Sequence, residues 1–198
     1  MADEIEIVLA SSSQARTRML TDAGVAHVCD PAHVNEAAIK AGWTGRPEAL
    51  ARELARTKAL AVSARRPDAL VIGADQVLAL GGNVVDKPGT VDRVRAQLER
   101  LSGREHRLIS AVAVAHGPDI VWDLVDTAHM HMRPFSAAFL DDYVARVGAD
   151  VAGSAGAYHL ENLGAQLFDN VEGDFFTVLG LPLIPLLNFL RAEGALKS

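Results

Sequence analysis

Cysteine is almost absent. Cys29 is the only one in 198 residues, which excludes an internal disulfide and fits a reducing compartment. Cationic residues are not in excess either: 19 Lys and Arg stand against 25 Asp and Glu, a formal net charge of -6. Nothing therefore draws the chain toward a nucleic acid, and any phosphate it binds must be small and met locally. No apolar run is long enough to span a bilayer, and the opening Met1-Ala2-Asp3-Glu4 lacks the basic region of a signal peptide. The expectation is a soluble cytoplasmic protein with no membrane partner. The seven histidines form no ligand spacing with cysteine or carboxylate, so no zinc site is read, and Cys29 itself reads as buried and inert. Repeats and low-complexity linkers are also missing.

What is present is ordinary globular composition, 49% hydrophobic and 22% charged, enough to bury a sizeable core in one domain spanning 1–198. The chain opens with Ile5-Glu6-Ile7-Val8-Leu9, a strand, followed by Ala10-Ser11-Ser12-Ser13. Ser13 is a reasonable N-cap for a helix to about residue 23, ended by Gly24. A short strand is read over 25–29 and a long helix over 47–65, with Lys58 among its apolar positions rather than opposite them. The run at 70–75 reads as a buried strand stopping at Gly73. A hairpin over 77–85 turns at Gly81-Gly82. A helix over 91–101 and two or three strands over 108–133 come next. Ser136 caps a further helix, a glycine-rich stretch covers 148–164, a strand covers 166–171, and an apolar helix closes the chain over 181–190. Alternation of strand and helix predicts an α/β or α+β fold with a mixed sheet.

Two strand ends carry chemistry. Gly73-Ala74-Asp75-Gln76 places a carboxylate just beyond a buried strand, where α/β proteins put their active groups. The hydroxyl-rich Ser11-Ser12-Ser13 turn, with Arg16 in the helix behind it, offers phosphate-binding donors. An acidic end and a hydroxyl-and-cation end point to a metal and a phosphate. Residue type alone leaves plainer readings open: Asp75 as a turn acid, Ser13 as only a cap, Lys58 as a snorkelling surface residue, Lys87 as a loop charge.

LASSSQARTRML at 9–20, VIGADQV at 71–77, DKP at 86–88, LSGREH at 101–106, AGAY at 155–158 and VEGDFFTVLGLPL at 171–183 follow one another along the chain. In order and spacing these strings resemble the Maf-like proteins, a family of nucleoside triphosphate pyrophosphatases. The resemblance implies an elongated mixed sheet flanked by helices with a central cleft, similar to inosine triphosphatase. It implies hydrolysis of a nucleoside triphosphate to monophosphate and pyrophosphate with a divalent metal, Mg²⁺ or Mn²⁺, and a homodimer in many members. By motif position Asp75 is the proton acceptor. Ser11, Ser13, Arg16, Glu36, Lys58 and Lys87 fall on the family's other polar cleft positions. Asp75 and Glu36 are the metal-ligand candidates, because Mg²⁺ keeps several waters and needs few carboxylates. Arg16, Lys58 and Lys87 would meet the phosphates.

The departures from the pattern concern the base. Ala15 replaces one of two arginines, Gly153-Ser154 replaces an Asp-Lys pair, Gln76 stands where Thr is common, and Glu161 where Gln is common. Gln76, Glu161 and the lost Asp-Lys resemble the branch acting on 7-methyl-GTP rather than on dTTP and UTP. A carboxylate at 161 also matches the adjacent N1 and N2 donors of guanine, although Ala15 supplies no aromatic face for a methylated, cationic purine. The alternatives carried forward are a dTTP/UTP-type pyrophosphatase and a non-catalytic nucleotide-binding regulator of septum formation.

Overall fold

The computed structural model describes residues 5–197; the reading of the first four residues lies outside them. One mixed sheet organises the chain. β1 (Ile7–Leu9) runs parallel to both β2 (Val28–Cys29) and β3 (Leu70–Leu80), while β5 (Glu105–His116), β6 (Asp119–Met132) and β7 (Phe168–Glu172) continue it antiparallel in the order β2-β1-β3-β5-β6-β7. β4 (Asn83–Val85) returns along the end of β3 as the expected hairpin arm. The α/β expectation holds.

Helices cover both faces, and the alternation along β3 shows how. Val71, Val77 and Ala79 face α3 (Pro47–Ser63) in one apolar cluster with Leu54, Ala55 and Ala59. On the other face the core is divided. Leu70, Ile72 and Ala74 pack with Met19 and Leu20 of α1 (Gln14–Asp22) and Leu186 of α7 (Leu183–Ala192). Leu78 and Leu80 pack instead with Leu98 of α4 (Val91–Leu101) and Leu140 of α5 (Ala137–Val147). Gln76 is the one position on that face between the two clusters, and a cleft opens there. No helix among the described residues is long and apolar enough to cross a membrane.

Local signals explain most of these elements. Ser13 caps α1 by accepting from Arg16 N, Gly24 beyond its end takes a left-handed φ of 73°, and Ser136 caps α5. Two short helices were not anticipated: α2 (Glu36–Ala41), capped by Asn35, and α6 (Phe175–Leu179), capped by Asp174. Both have too few turns to show an apolar period. The expected strand over 166–171 begins as a 3₁₀ turn, Leu163–Leu167, before β7.

Two expectations are corrected. Cys29 is exposed, because β2 is an edge strand; its Sγ lies 3.4 Å from Thr17 Oγ1. The strand at 70–75 does not stop at Gly73 but is 11 residues long in all, Leu70–Leu80, so Asp75 is mid-strand and not at a carboxyl end. Gly73 marks close approach of a helix, not a turn: a Cβ there would lie 2.2 Å from the Ala55 carbonyl oxygen and 2.5 Å from Ala59 N. Gly73→Ala is therefore expected to destabilise the fold by about 1–3 kcal/mol through forced separation of α3 and β3. Urea unfolding checks this, and a midpoint equal to that of the parent would contradict the close packing.

Candidate functional site

The position of Asp75 is set by an interruption in the sheet. β5 pairs with β3 along one edge from Val71 to Ala79, whereas the other edge is shared by β1, over Leu70 to Ile72, and β4, over Leu78 to Leu80. Between them residues 73–77 have no strand neighbour on that side among the described residues. The chain ends bordering this gap are the Ser11–Ser13 turn after β1 and the Asp86-Lys87-Pro88 loop after β4. Residues far apart in sequence thus meet at one break.

Strand alternation divides the candidates into two linked groups. Asp75 points to the α3 side, where it is buried, and Lys58 of α3, also buried, donates from Nζ to Asp75 Oδ1 at 2.5 Å and lies 2.7 Å from Glu36 Oε1. An acid, a lysine and a second acid therefore form one compact group. Helix periodicity accounts for the lysine: residues 51, 54, 55, 58, 59 and 62 fall on the buried stripe of α3. Burial works against ionisation of Glu36, yet the hydrogen bond and charge of Lys58, with Lys40 and Lys87 adding, hold it below the usual carboxylate range.

The second group lines the cleft, whose volume is about 500 Å³; Ser13, Ala15, Arg16, Gln76, Lys87 and Glu161 all border it. Arg16 stands at the junction of the two groups. Its Nη1 donates to the Ala74 carbonyl at 3.0 Å, on the unpaired edge of β3, and to Ser11 Oγ at 3.4 Å; its Nε donates to the Gly180 carbonyl at 2.9 Å. Burial lowers the Arg16 pKa while Asp75 and Glu36 pull it back. Lys87 reaches the surface, but partial removal from water and the charge of Arg16 lower its pKa, against the pull of Asp75 and Glu36. Both cations therefore sense the acid group through the gap.

Gln76 faces the cleft from the opposite side of β3 to Asp75. Its amide nitrogen is engaged by protein: Nε2 donates toward Ser110 Oγ at 3.0 Å, Thr177 O at 3.1 Å and Val178 O at 2.9 Å. Glu161 is exposed at the rim, and Ala15 leaves open space beside Arg16. The cleft wall also includes Arg18, the second cation of the helix behind the serine turn, and Asp150 and Tyr158, neither of which the sequence singles out. Tyr158 belongs to the AGAY string; its hydroxyl lies 2.6 Å from Nε2 of His106, in the LSGREH string, so two of the family strings meet in one buried pair. Among the described residues no three His, Cys, Asp or Glu side chains gather as a metal cluster. Glu36 and Asp75, the two carboxylates expected at a divalent ion, both contact the Lys58 ammonium.

Fold and site thus define an α/β protein with a cation-lined cleft beside an acid–lysine–acid group in which Asp75 and Lys58 are buried and Glu36 is half-exposed. A family profile described as "Maf-like protein" matches residues 6–193, and the chain belongs to that family. It is 49% identical over 193 residues to a "Nucleoside triphosphate pyrophosphatase" of Caulobacter vibrioides, covering 96% of both chains. It is 50% identical over 192 residues to one of Paramagnetospirillum magneticum, covering 96% of this chain and 99% of the other. A "7-methyl-GTP pyrophosphatase" of Rhizobium johnstonii is 43% identical over 196 residues, with 98% of each covered. Among solved structures, a "Nucleoside-triphosphatase / dITP/XTP pyrophosphatase" from Mycobacterium abscessus aligns over 98% of both chains at 15% identity and a TM-score of 0.43, too loose a likeness to build on.

Proposed function

We propose that this protein hydrolyses a nucleoside triphosphate to the monophosphate and pyrophosphate, clearing a guanine-type nucleotide such as 7-methyl-GTP from the precursor pool. The observation that carries the reading is the buried Asp75 at the break in the sheet, with Arg16 and Lys87 between it and a nucleotide-sized cleft. The near-full-length identity to relatives bearing that activity in their names supports it.

In this reading a water attacks the α-phosphorus and gives its proton to Asp75; the bond from the α-phosphorus to the bridging oxygen breaks, and pyrophosphate leaves with that electron pair. Lys58 holds Oδ1 of Asp75 and so leaves Oδ2 to meet the water. Arg16, with two of its donors fixed by backbone carbonyls, and Lys87 offset the charge that grows on the leaving group. Asp75 and Glu36 would hold a Mg²⁺ or Mn²⁺ ion, since a hard cation with retained waters needs only one or two carboxylates. When bound, the ion would polarise the phosphoryl oxygens.

Pyrophosphate release from 7-methyl-GTP, GTP, UTP and dTTP with either metal tests the proposal. The guanine nucleotides are expected to rank first. A pyrimidine ranking first would move the chain to the dTTP/UTP branch, and binding without turnover on any member would favour the regulator. Glu161 is expected to carry part of the ranking, because its carboxylate accepts from both N1 and N2 of guanine. Glu161→Gln sets a donor against a donor, a loss of about 1.5–3 kcal/mol or roughly 10- to 100-fold in relative kcat/KM. An unchanged ranking in that variant would show that Glu161 does not read the base.

A further inference from the structure

Three polar side chains stand abreast on the cleft face of the sheet. Gln76 of β3 pairs with Ser110 of β5, and Ser110 pairs with Asp126 of β6. Directly paired residues project to the same face, and all three end on one residue, Thr177 of α6. Gln76 Nε2 donates to Thr177 O, Ser110 Oγ donates to the same oxygen at 2.7 Å, and Thr177 Oγ1 donates to Asp126 Oδ2 at 2.6 Å. Ser110 and Thr177 are fully buried. A shift of α6 by one residue would leave these buried groups unpaired, so hydrogen bonds rather than apolar packing set its register.

What α6 delivers is the carbonyl of Gly180. This residue ends the helix with a left-handed φ of 101°, and a Cβ on it would lie 3.7 Å from Arg16 Nη2, Gln76 Cδ and Gln76 Oε1 alike. Its carbonyl accepts from Arg16 Nε. The guanidinium is thus aimed by two backbone oxygens, Ala74 O from β3 and Gly180 O from the turn that the polar row places.

We infer that Gln76, Ser110, Asp126 and Thr177 are positioning residues for Arg16: the row sets α6, α6 sets the Gly180 carbonyl, and that carbonyl orients the guanidinium toward the phosphates. The inference rests on reading Arg16 as a phosphate contact. Gln76 acts in this row through its amide nitrogen, which is held by Ser110 Oγ, Thr177 O and Val178 O.

The test uses the full chain and calorimetric binding of inorganic tripolyphosphate, so that it is read independently of turnover. Thr177→Val keeps the shape and removes the hydroxyl; Thr177→Ser restores it. Thr177→Val is expected to weaken tripolyphosphate binding by about 5- to 10-fold and Thr177→Ser by less than about twofold. In an Arg16→Ala background Thr177→Val should add less than about twofold, because residues acting through one another are not additive. Should Thr177→Val fail to fold, Ser110→Ala replaces it, with a loss of about threefold that likewise vanishes in the Arg16→Ala background. Full additivity with Arg16→Ala, equal losses for Val and Ser at 177, or no tripolyphosphate binding by the parent protein would each overturn the inference. Loss of pyrophosphate release with this pattern intact would instead overturn the catalytic reading alone.

Discussion

Asp75→Asn is expected to lower kcat by about 10²-fold or more while leaving the fold intact, the scale of removing a general base or a positioned charge at the reacting centre. Asparagine has nearly the same volume and keeps one acceptor for Lys58. That lysine would not be stranded, because Glu36 already lies 2.7 Å from its ammonium; the usual severe penalty for an uncompensated buried charge is therefore avoided. What asparagine cannot do is accept a proton from water or contribute a charged ligand to a cation. Steady-state pyrophosphate release, alongside a thermal melt to verify folding, checks this. Activity within about threefold of the parent would remove Asp75 from the mechanism.

A second large effect is expected on stability as the pH falls. Burial, with a further push from His131 and against the pull of the Arg104 backbone and Glu105, lowers the His106 pKa from 6.5 to about 4. The pair with Tyr158 is a neutral one, since burial also raises the Tyr158 hydroxyl well above its ordinary value. The folded state therefore binds the histidine proton more weakly than the unfolded chain. Stability contributed by the neutral imidazole is complete above pH 6.5 and declines as the pH drops toward 4. The loss comes to about 3 kcal/mol, because each tenfold weakening of proton affinity on folding is worth roughly 1.4 kcal/mol. His106→Asn should remove that portion of the acid slope in urea unfolding between pH 7 and pH 4. Equal slopes for parent and variant would mean that His106 titrates normally. The consequence reaches the cleft: Tyr158 forms part of its wall, and a Cβ on Gly156 would lie only 2.1 Å from the Tyr158 ring, so the glycine-rich loop rests directly on the residue His106 supports.

Much of the local structure was legible because its causes are local. Ser13 and Ser136 cap their helices through side-chain bonds three residues ahead, Gly24 ends α1 by its left-handed backbone, and Lys58 falls on the buried stripe of α3 by helical period alone. The family resemblance points to these polar residues, although Glu36 and Lys58 lie outside its six strings, and the structure brings Asp75, Lys58 and Glu36 into one group and Arg16 and Lys87 to its edge. Short elements escaped because the six residues of α2 and the five of α6 make too few turns for an apolar period to repeat.

The misreading of Gly73 has a different origin. A glycine that ends a strand and one whose missing Cβ makes room for a helix backbone look alike in sequence, since the atoms that forbid a side chain belong to Ala55 and Ala59. The same holds for the exposure of Cys29, which follows from β2 lying at the sheet edge. The chain by itself determined its alternating elements, its caps and the residue types available for phosphate and proton chemistry, all consequences of spacing along one segment. Only the tertiary structure decided that β1 and β4 share one edge of β3 and leave a gap at Asp75, and that Gln76, Ser110 and Asp126 line up beneath Thr177. Strand order and register bring together residues dozens of positions apart, and no local preference encodes which neighbours those will be.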